Sequence, residues 1–200
     1  MWARRSFELR PRPVKLCDLD EWSEETVTIQ SGLPSDMQQH SELSAKIITT
    51  DNSPLEVNVL LDAGSEATLI REDVANRIGL KGPVQDIRLS TFHGADPLIR
   101  CNRVCFTLQS LDGHHKFEID SALTVPTLSV SRRRVDFKRL KSLWPHLRGI
   151  QIAASQPDDI TVLVGMDVVE AHGQYRVFKH PKGIDGPHAV LTPFDWFIIE

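Results

Sequence analysis

Asp62 stands at the end of the apolar run Val57-Asn58-Val59-Leu60-Leu61 and opens a short turn containing Ala63, Gly64, Ser65 and, a little later, Thr68. A carboxylate beside a core strand is costly unless it is hydrogen-bonded or paired, so its delivery from a strand end marks it as a candidate for chemistry. Gly64 supplies the backbone freedom for a turn whose amides point at that carboxylate, and Ser65 and Thr68 add hydroxyls nearby. Spacing alone equally allows an ordinary aspartate that caps the next segment. Other reactive residues fit their patterns less well. Cys101 and Cys105 lie in an extended segment with no matched second ligand pair, and read as buried or half-buried thiols. His114 and His115 share a turn in which sequence places no third ligand, and read as solvated. Arg132-Arg133-Arg134 reads as a solvated charge run, with nucleic-acid contact as its alternative.

The elements that must hold Asp62 follow from periodicity. Val57, Val59 and Leu61 alternate with Asn58 and Leu60, which predicts a strand with at least one buried face. Ala45 to Thr50 and Leu55 to Leu61 flank the turn cluster Asp51-Asn52-Ser53-Pro54 and predict a hairpin, the second strand carrying Asp62. A short helix is expected over 72–78, with Glu72 and Asp73 in its first turn, Arg77 near its end, Gly79 terminating it, and Val74 and Ile78 on one face. The run from Ile87 to Ile99 is extended and broken by a turn at Gly94. Val104 to Leu108 and Phe117 to Ile119 form a second hairpin across Asp112-Gly113. Phe137, Leu140, Leu143 and Trp144 recur at helical spacing before Pro145 and are expected to face the core. Ile160 to Val164 reads as a buried strand ended by Gly165, with a short helix over 166–171. Further short strands are expected over 175–178, 189–192 and 196–199.

The 200 residues suffice for one domain with extensions, and 40% hydrophobic with 25% charged residues is the composition of a globular chain. A net charge of -4 makes nucleic-acid or membrane binding an unexpected main activity, and no run approaches the roughly 20 apolar residues of a membrane span. Three cysteines argue for a reducing compartment over a disulfide framework. Residues 1–43 are polar and broken by Pro and Gly, and read as a poorly ordered linker. The ordered domain is expected over 44–180, and 181–200 reads as a C-terminal strand segment still apolar at its end, which is either a pairing edge or a cut within a longer chain.

Leu60-Leu61-Asp62-Ala63-Gly64-Ser65, followed by Thr68-Leu69-Ile70, resembles the active-site strand of retropepsin-type aspartic proteases. Ile78-Gly79-Leu80, Leu143-Trp144-Pro145-His146-Leu147, Val162-Leu163-Val164-Gly165-Met166-Asp167, and Gly186-Pro187 leading to Thr192 and Trp196 extend the resemblance. Together they resemble the protease domain of Pao-type (Bel/Pao) LTR retrotransposon polyproteins, over about Ser44 to Ile199. The resemblance implies a mainly all-β fold, a retropepsin-like acid-protease closed β-barrel with one or two short helices and a flap hairpin. It implies Asp62 as the catalytic acid, Ala63, Gly64, Ser65 and Thr68 as the active-site turn, and Phe92, His93 and Gly94 at the flap. Gly165, Met166 and Asp167 would be a structural strand-helix motif, with Asp167 no second catalytic acid. It further implies an insertion at about 129–159, no metal and no cofactor, and an intracellular polyprotein setting, cytoplasmic or within virus-like particles. Residues 181–200 would lead towards the next polyprotein region.

One candidate motif, Asp62-Ala63-Gly64, implies that an active enzyme is a homodimer in which two Asp62 residues meet on a two-fold axis. Carboxylates about 3 Å apart repel by roughly 5 kcal/mol at an effective dielectric near 20, so the pair would share one proton. The ionised member would activate water, the protonated member would donate to the scissile carbonyl, and the rate profile would be bell-shaped on the acidic side of neutral. The substrate would be polypeptide, the protein's own polyprotein. Ala63 stands where the family has Thr or Ser, whose hydroxyl bonds across the dimer. Losing two such bonds at about 1 kcal/mol each would weaken dimerisation roughly 30-fold. The same departure fits a catalytically silent, dimeric peptide-binding or scaffold module on this fold.

Overall fold

A computed structural model describes residues 25–28, 42–49, 53–91, 94–128, 136–152, 159–181 and 185–199. In chain order the strands are β1 (Glu25–Thr28), β2 (Glu42–Ile48), β3 (Pro54–Leu61), β4 (Leu69–Arg71), β5 (Val84–Thr91), β6 (Gly94–Ser110), β7 (Lys116–Val125), β8 (Val162–Val164), β9 (Arg176–Phe178), β10 (His188–Leu191) and β11 (Trp196–Ile199). The helices are α1 (Glu72–Arg77), α2 (Phe137–Leu143) and two 3-10 segments, Pro145–Leu147 and Met166–His172. The protein is mainly β, as its alternating apolar runs predict.

Strands β6-β2-β3-β8-β4-β7 form a ring that closes because β7 pairs back onto β6. Closure leaves these six strands without a free edge. Period-two burial along the second half of β6 places Val104, Phe106, Leu108 and Ser110 inside. Strand β3 departs from strict alternation: Val57, Asn58, Val59 and Leu60 are all buried, because Val57 and Val59 pack in one apolar cluster and Leu60 in a second. The interior is filled by Ala45, Ile47, Val57, Val59, Leu108 and Val162 among others.

Beyond the ring, β5 pairs with the first half of β6, from Val84↔Asn102 to Thr91↔Gly94. The hairpin expected from the 87–99 run is therefore present; its tip residues Phe92 and His93 lie outside the described residues, and Gly94 opens β6. Helix α1 ends as its sequence predicts. Leu80 N–H donates to the Ala75 carbonyl and Gly79 N–H to the Asn76 carbonyl, with Gly79 at φ 71°, a conformation glycine adopts without penalty.

Three placements differ from the sequence expectations. Glu25–Thr28, within the stretch read as linker, forms β1 and pairs in parallel with β5; Thr, Val and Thr are strand formers that a window dominated by polar neighbours conceals. Within the segment read as 181–200, residues 188–199 join the main core: β10 and β11 pair with each other and β10 with β9, and Val190, Phe194, Phe197 and Ile199 pack in the same cluster as Val59 and Leu108. Leu143 is not core-facing but 62% exposed, and α2 has no buried residue. Leu147 and Ile150, just past Pro145, take that role and pack against Ala189, with Leu140 and Trp144 half-buried beside them.

Leu108→Ala, at a fully buried site, is expected to cost about 2–5 kcal/mol in a denaturant titration, whereas Leu143→Ala stays within about 0.5 kcal/mol. At the β6–β7 turn, the Ser110 hydroxyl and the His114 amide donate to the Asp112 carboxylate, holding its pKa below the ordinary 3.8. A depressed carboxylate contributes stability that is present above its unfolded value and lost as pH falls through its folded one. A carboxyl NMR titration should show Asp112 titrating below the ordinary aspartate value, and Asp112→Asn should remove that part of the acid sensitivity.

Candidate active site

The β3–β8 pairing brings the two turns of the site together. The strands are parallel neighbours, Leu61 aligned with Val164, and Asp62 N–H continues the ladder by donating to the Val164 carbonyl at 3.0 Å. Both strands then turn at the same end of the barrel, β3 into residues 62–68 and β8 into 165–167.

Asp62 is half-buried, and its carboxylate is held locally on one side only. Gly64 N–H donates to Oδ1 at 2.9 Å, and Ser65 N–H donates to the Asp62 main-chain carbonyl at 3.1 Å. Oδ2 is buried and has no hydrogen-bond partner. A buried carboxylate oxygen without a donor costs free energy in the isolated chain. Ala63 beside it is exposed.

The hydroxyls expected near the carboxylate brace the turn instead. Ser65 Oγ donates to the Ala67 carbonyl at 2.7 Å. Thr68, fully buried, donates through its amide to Asp167 Oδ2 at 3.0 Å and through Oγ1 to Asp167 Oδ1 at 2.8 Å, while Oγ1 accepts from Gly165 N–H at 3.2 Å. Both Asp167 oxygens are thus engaged by one threonine, which suits a structural role for that carboxylate. Met166 N–H donates to the Ser65 carbonyl at 2.8 Å. The approach of the two turns requires glycine: a Cβ on Gly165 would lie 2.6 Å from the Ala67 carbonyl carbon and oxygen.

The structure therefore brings Asp62, Gly64, Ser65, Thr68, Gly165, Met166 and Asp167 into one bonded unit, with Ala63 at its exposed face. Of the flap residues only Gly94 is described, and by its backbone. One contact has no signal in the sequence: His172 Nε2 lies 3.0 Å from the Gly165 carbonyl oxygen. A histidine seven positions beyond a glycine carries no recognised spacing, and only the bent path of the intervening chain reveals it. Elsewhere, Cys101 is buried and Cys105 half-buried, and the His115 ring packs against Tyr175 with centroids 5.5 Å apart. Arg132, Arg133 and Arg134 lie outside the described residues. Among the described residues no group of three or more His, Cys, Asp or Glu side chains is placed to hold a metal ion, and no helix is long and apolar enough to cross a membrane.

No protein-family model, curated protein or solved structure matches the chain.

Thr68→Val keeps the side-chain shape but strands the buried Gly165 amide and takes one donor from Asp167, and is expected to cost about 1–3 kcal/mol. Gly165→Ala forces the two turns apart and is expected to cost a similar amount. Denaturant titrations check both, with an unchanged slope showing that the unfolding remains the same transition.

Proposed function

We propose that the protein is an aspartic endopeptidase acting as a homodimer, with Asp62 of each subunit supplying one half of the catalytic pair. The observation that carries this reading is the Asp62 carboxylate itself: one oxygen tied to the Gly64 amide, the other buried and unpartnered, on a turn fixed to a second turn from β8. An orphaned carboxylate oxygen in a single chain is what a site completed by a second carboxylate leaves behind.

In the dimer the two carboxylates hold one proton between them, because both cannot stay charged at such short range. Water between them gives a proton to the ionised Asp62 as its oxygen bonds to the scissile carbonyl carbon. The protonated Asp62 gives its proton to the carbonyl oxygen, forming a neutral tetrahedral diol. Collapse breaks the C–N bond: the departing amine takes the proton from the protonated Asp62, a diol hydroxyl returns one to the ionised Asp62, and an acid and an amine leave with the pair again holding one proton. The β5–β6 hairpin, extending from the closed ring, supplies a cover for an extended peptide. The resemblance in the Asp62 and Gly165 segments makes the substrate class polypeptide, and the chain's own polyprotein the first candidate.

Ala63 favours a second reading, a silent dimeric peptide-binding or scaffold module on the same fold. Without a hydroxyl at this exposed position, the side chain has nothing to donate across the axis.

Cleavage of a precursor extended past both ends, followed against protein concentration at mildly acid pH, tests the choice. Discrete fragments from the intact chain and none from Asp62→Asn are expected, with the rate rising faster than linearly at low concentration. Ala63→Thr should lower the concentration at which activity appears, by up to roughly 30-fold. A folded dimer that yields no fragments supports the silent module.

A further inference from the structure

Resting on the reading of Asp62 as the reacting carboxylate, we propose that His172 is a positioning residue that fixes the Asp62 turn through one shared peptide group. His172 closes the 3-10 segment Met166–His172, and its Nε2 lies 3.0 Å from the Gly165 carbonyl oxygen. A carbonyl only accepts, so Nε2 carries the hydrogen and donates. The same peptide unit presents its other end, Met166 N–H, to the Ser65 carbonyl at 2.8 Å. His172 and Ser65 thus hold one amide plane from opposite ends, and donation to its oxygen polarises the unit so that its N–H donates more strongly.

The chain bends to make this contact. A straight 3-10 helix rises about 2 Å per residue, which would carry position 172 roughly 14 Å from Gly165. Val168 interrupts the helix at φ -121°, ψ 65°, and the path folds back, anchored by buried Val168 and Ala171. The half-buried imidazole closes the loop onto the residue that must pass closest to the Asp62 turn. From Ser65 the connection reaches the site directly, because Ser65 N–H donates to the Asp62 carbonyl and Gly64 N–H to the carboxylate.

A group that orients the turn without touching substrate affects kcat more than KM. In the full-length chain, His172→Leu is expected to lower kcat about five- to tenfold with KM within about twofold, and to speed amide exchange at Ser65 and Met166 by a similar factor. His172→Gln, whose amide nitrogen stands the same number of bonds from Cβ as Nε2, should restore both to within about twofold of the parent. His172→Asn is one atom short of that reach and should resemble the leucine variant, which keeps the test open where leucine fails to fold. Unchanged exchange at Ser65 and Met166 in the Leu and Asn variants overturns the positioning role whether or not cleavage is seen. Exchange that quickens evenly over the whole barrel, or a loss that glutamine does not restore, also overturns it in favour of simple packing. Faster exchange in the turn, restored by glutamine, in a parent chain that never cleaves at any concentration, keeps the positioning role and removes the protease reading.

Discussion

Thr68 and Asp167, 99 positions apart in the chain, are joined by two hydrogen bonds, and the place of Asp62 depends on that junction. The turn after β3 has only short-range bonds of its own, from Gly64 and Ser65 back to Asp62 and from Ser65 to Ala67. Such bonds shape a turn but do not aim it. Its direction comes from the β8 turn, which receives the Thr68 amide and hydroxyl, returns the Gly165 amide, and adds Met166 N–H to the Ser65 carbonyl. Because Thr68 is wholly buried, its amide and hydroxyl and the Gly165 amide bonded to it are shielded from water, and leaving any of these unmade is costly.

That junction exists only because the barrel sets β3 beside β8. Parallel neighbours cannot be joined by a tight turn, so a long stretch of chain must pass between them. Here it builds β4, α1, the β5–β6 hairpin and β7 before β8 is laid between β3 and β4. The β9–β10–β11 sheet then adds apolar cover, with Val190, Phe194, Phe197 and Ile199 in the main cluster and the Phe194 ring 5.2 Å from that of Phe117. The cover leaves Ala63 exposed.

The two readings of function separate at this exposed end of the site. Buried, unpartnered Oδ2 of Asp62 asks for a second group, and a second carboxylate across a two-fold axis would meet that need by sharing a proton. In the proposed dimer, Ala63 would leave that axis without a hydroxyl donor, while Asp62 would keep the carboxylate the chemistry needs. Affinity between subunits would then have to rest on contacts less directional than that hydroxyl.

Asp62 at the strand end, the Gly64 turn, α1 with its acidic start and Gly79 stop, and the Asp112-Gly113 hairpin are all legible in the sequence. Each is decided by neighbours within a few positions, through period-two burial, capping and turn chemistry. The partners of the hydroxyls were not legible: the sequence places Ser65 and Thr68 only near Asp62, and they turn to Ala67 and Asp167. Nor were the pairing of Glu25–Thr28 with β5, the exposure of Leu143, the entry of residues 188–199 into the core, or the reach of His172 to Gly165. A sequence determines which local shapes are cheap and which side chains seek burial. Which of several satisfying partners each group meets is decided by the tertiary structure, because closing the barrel selects one set of long-range neighbours and excludes water from the rest.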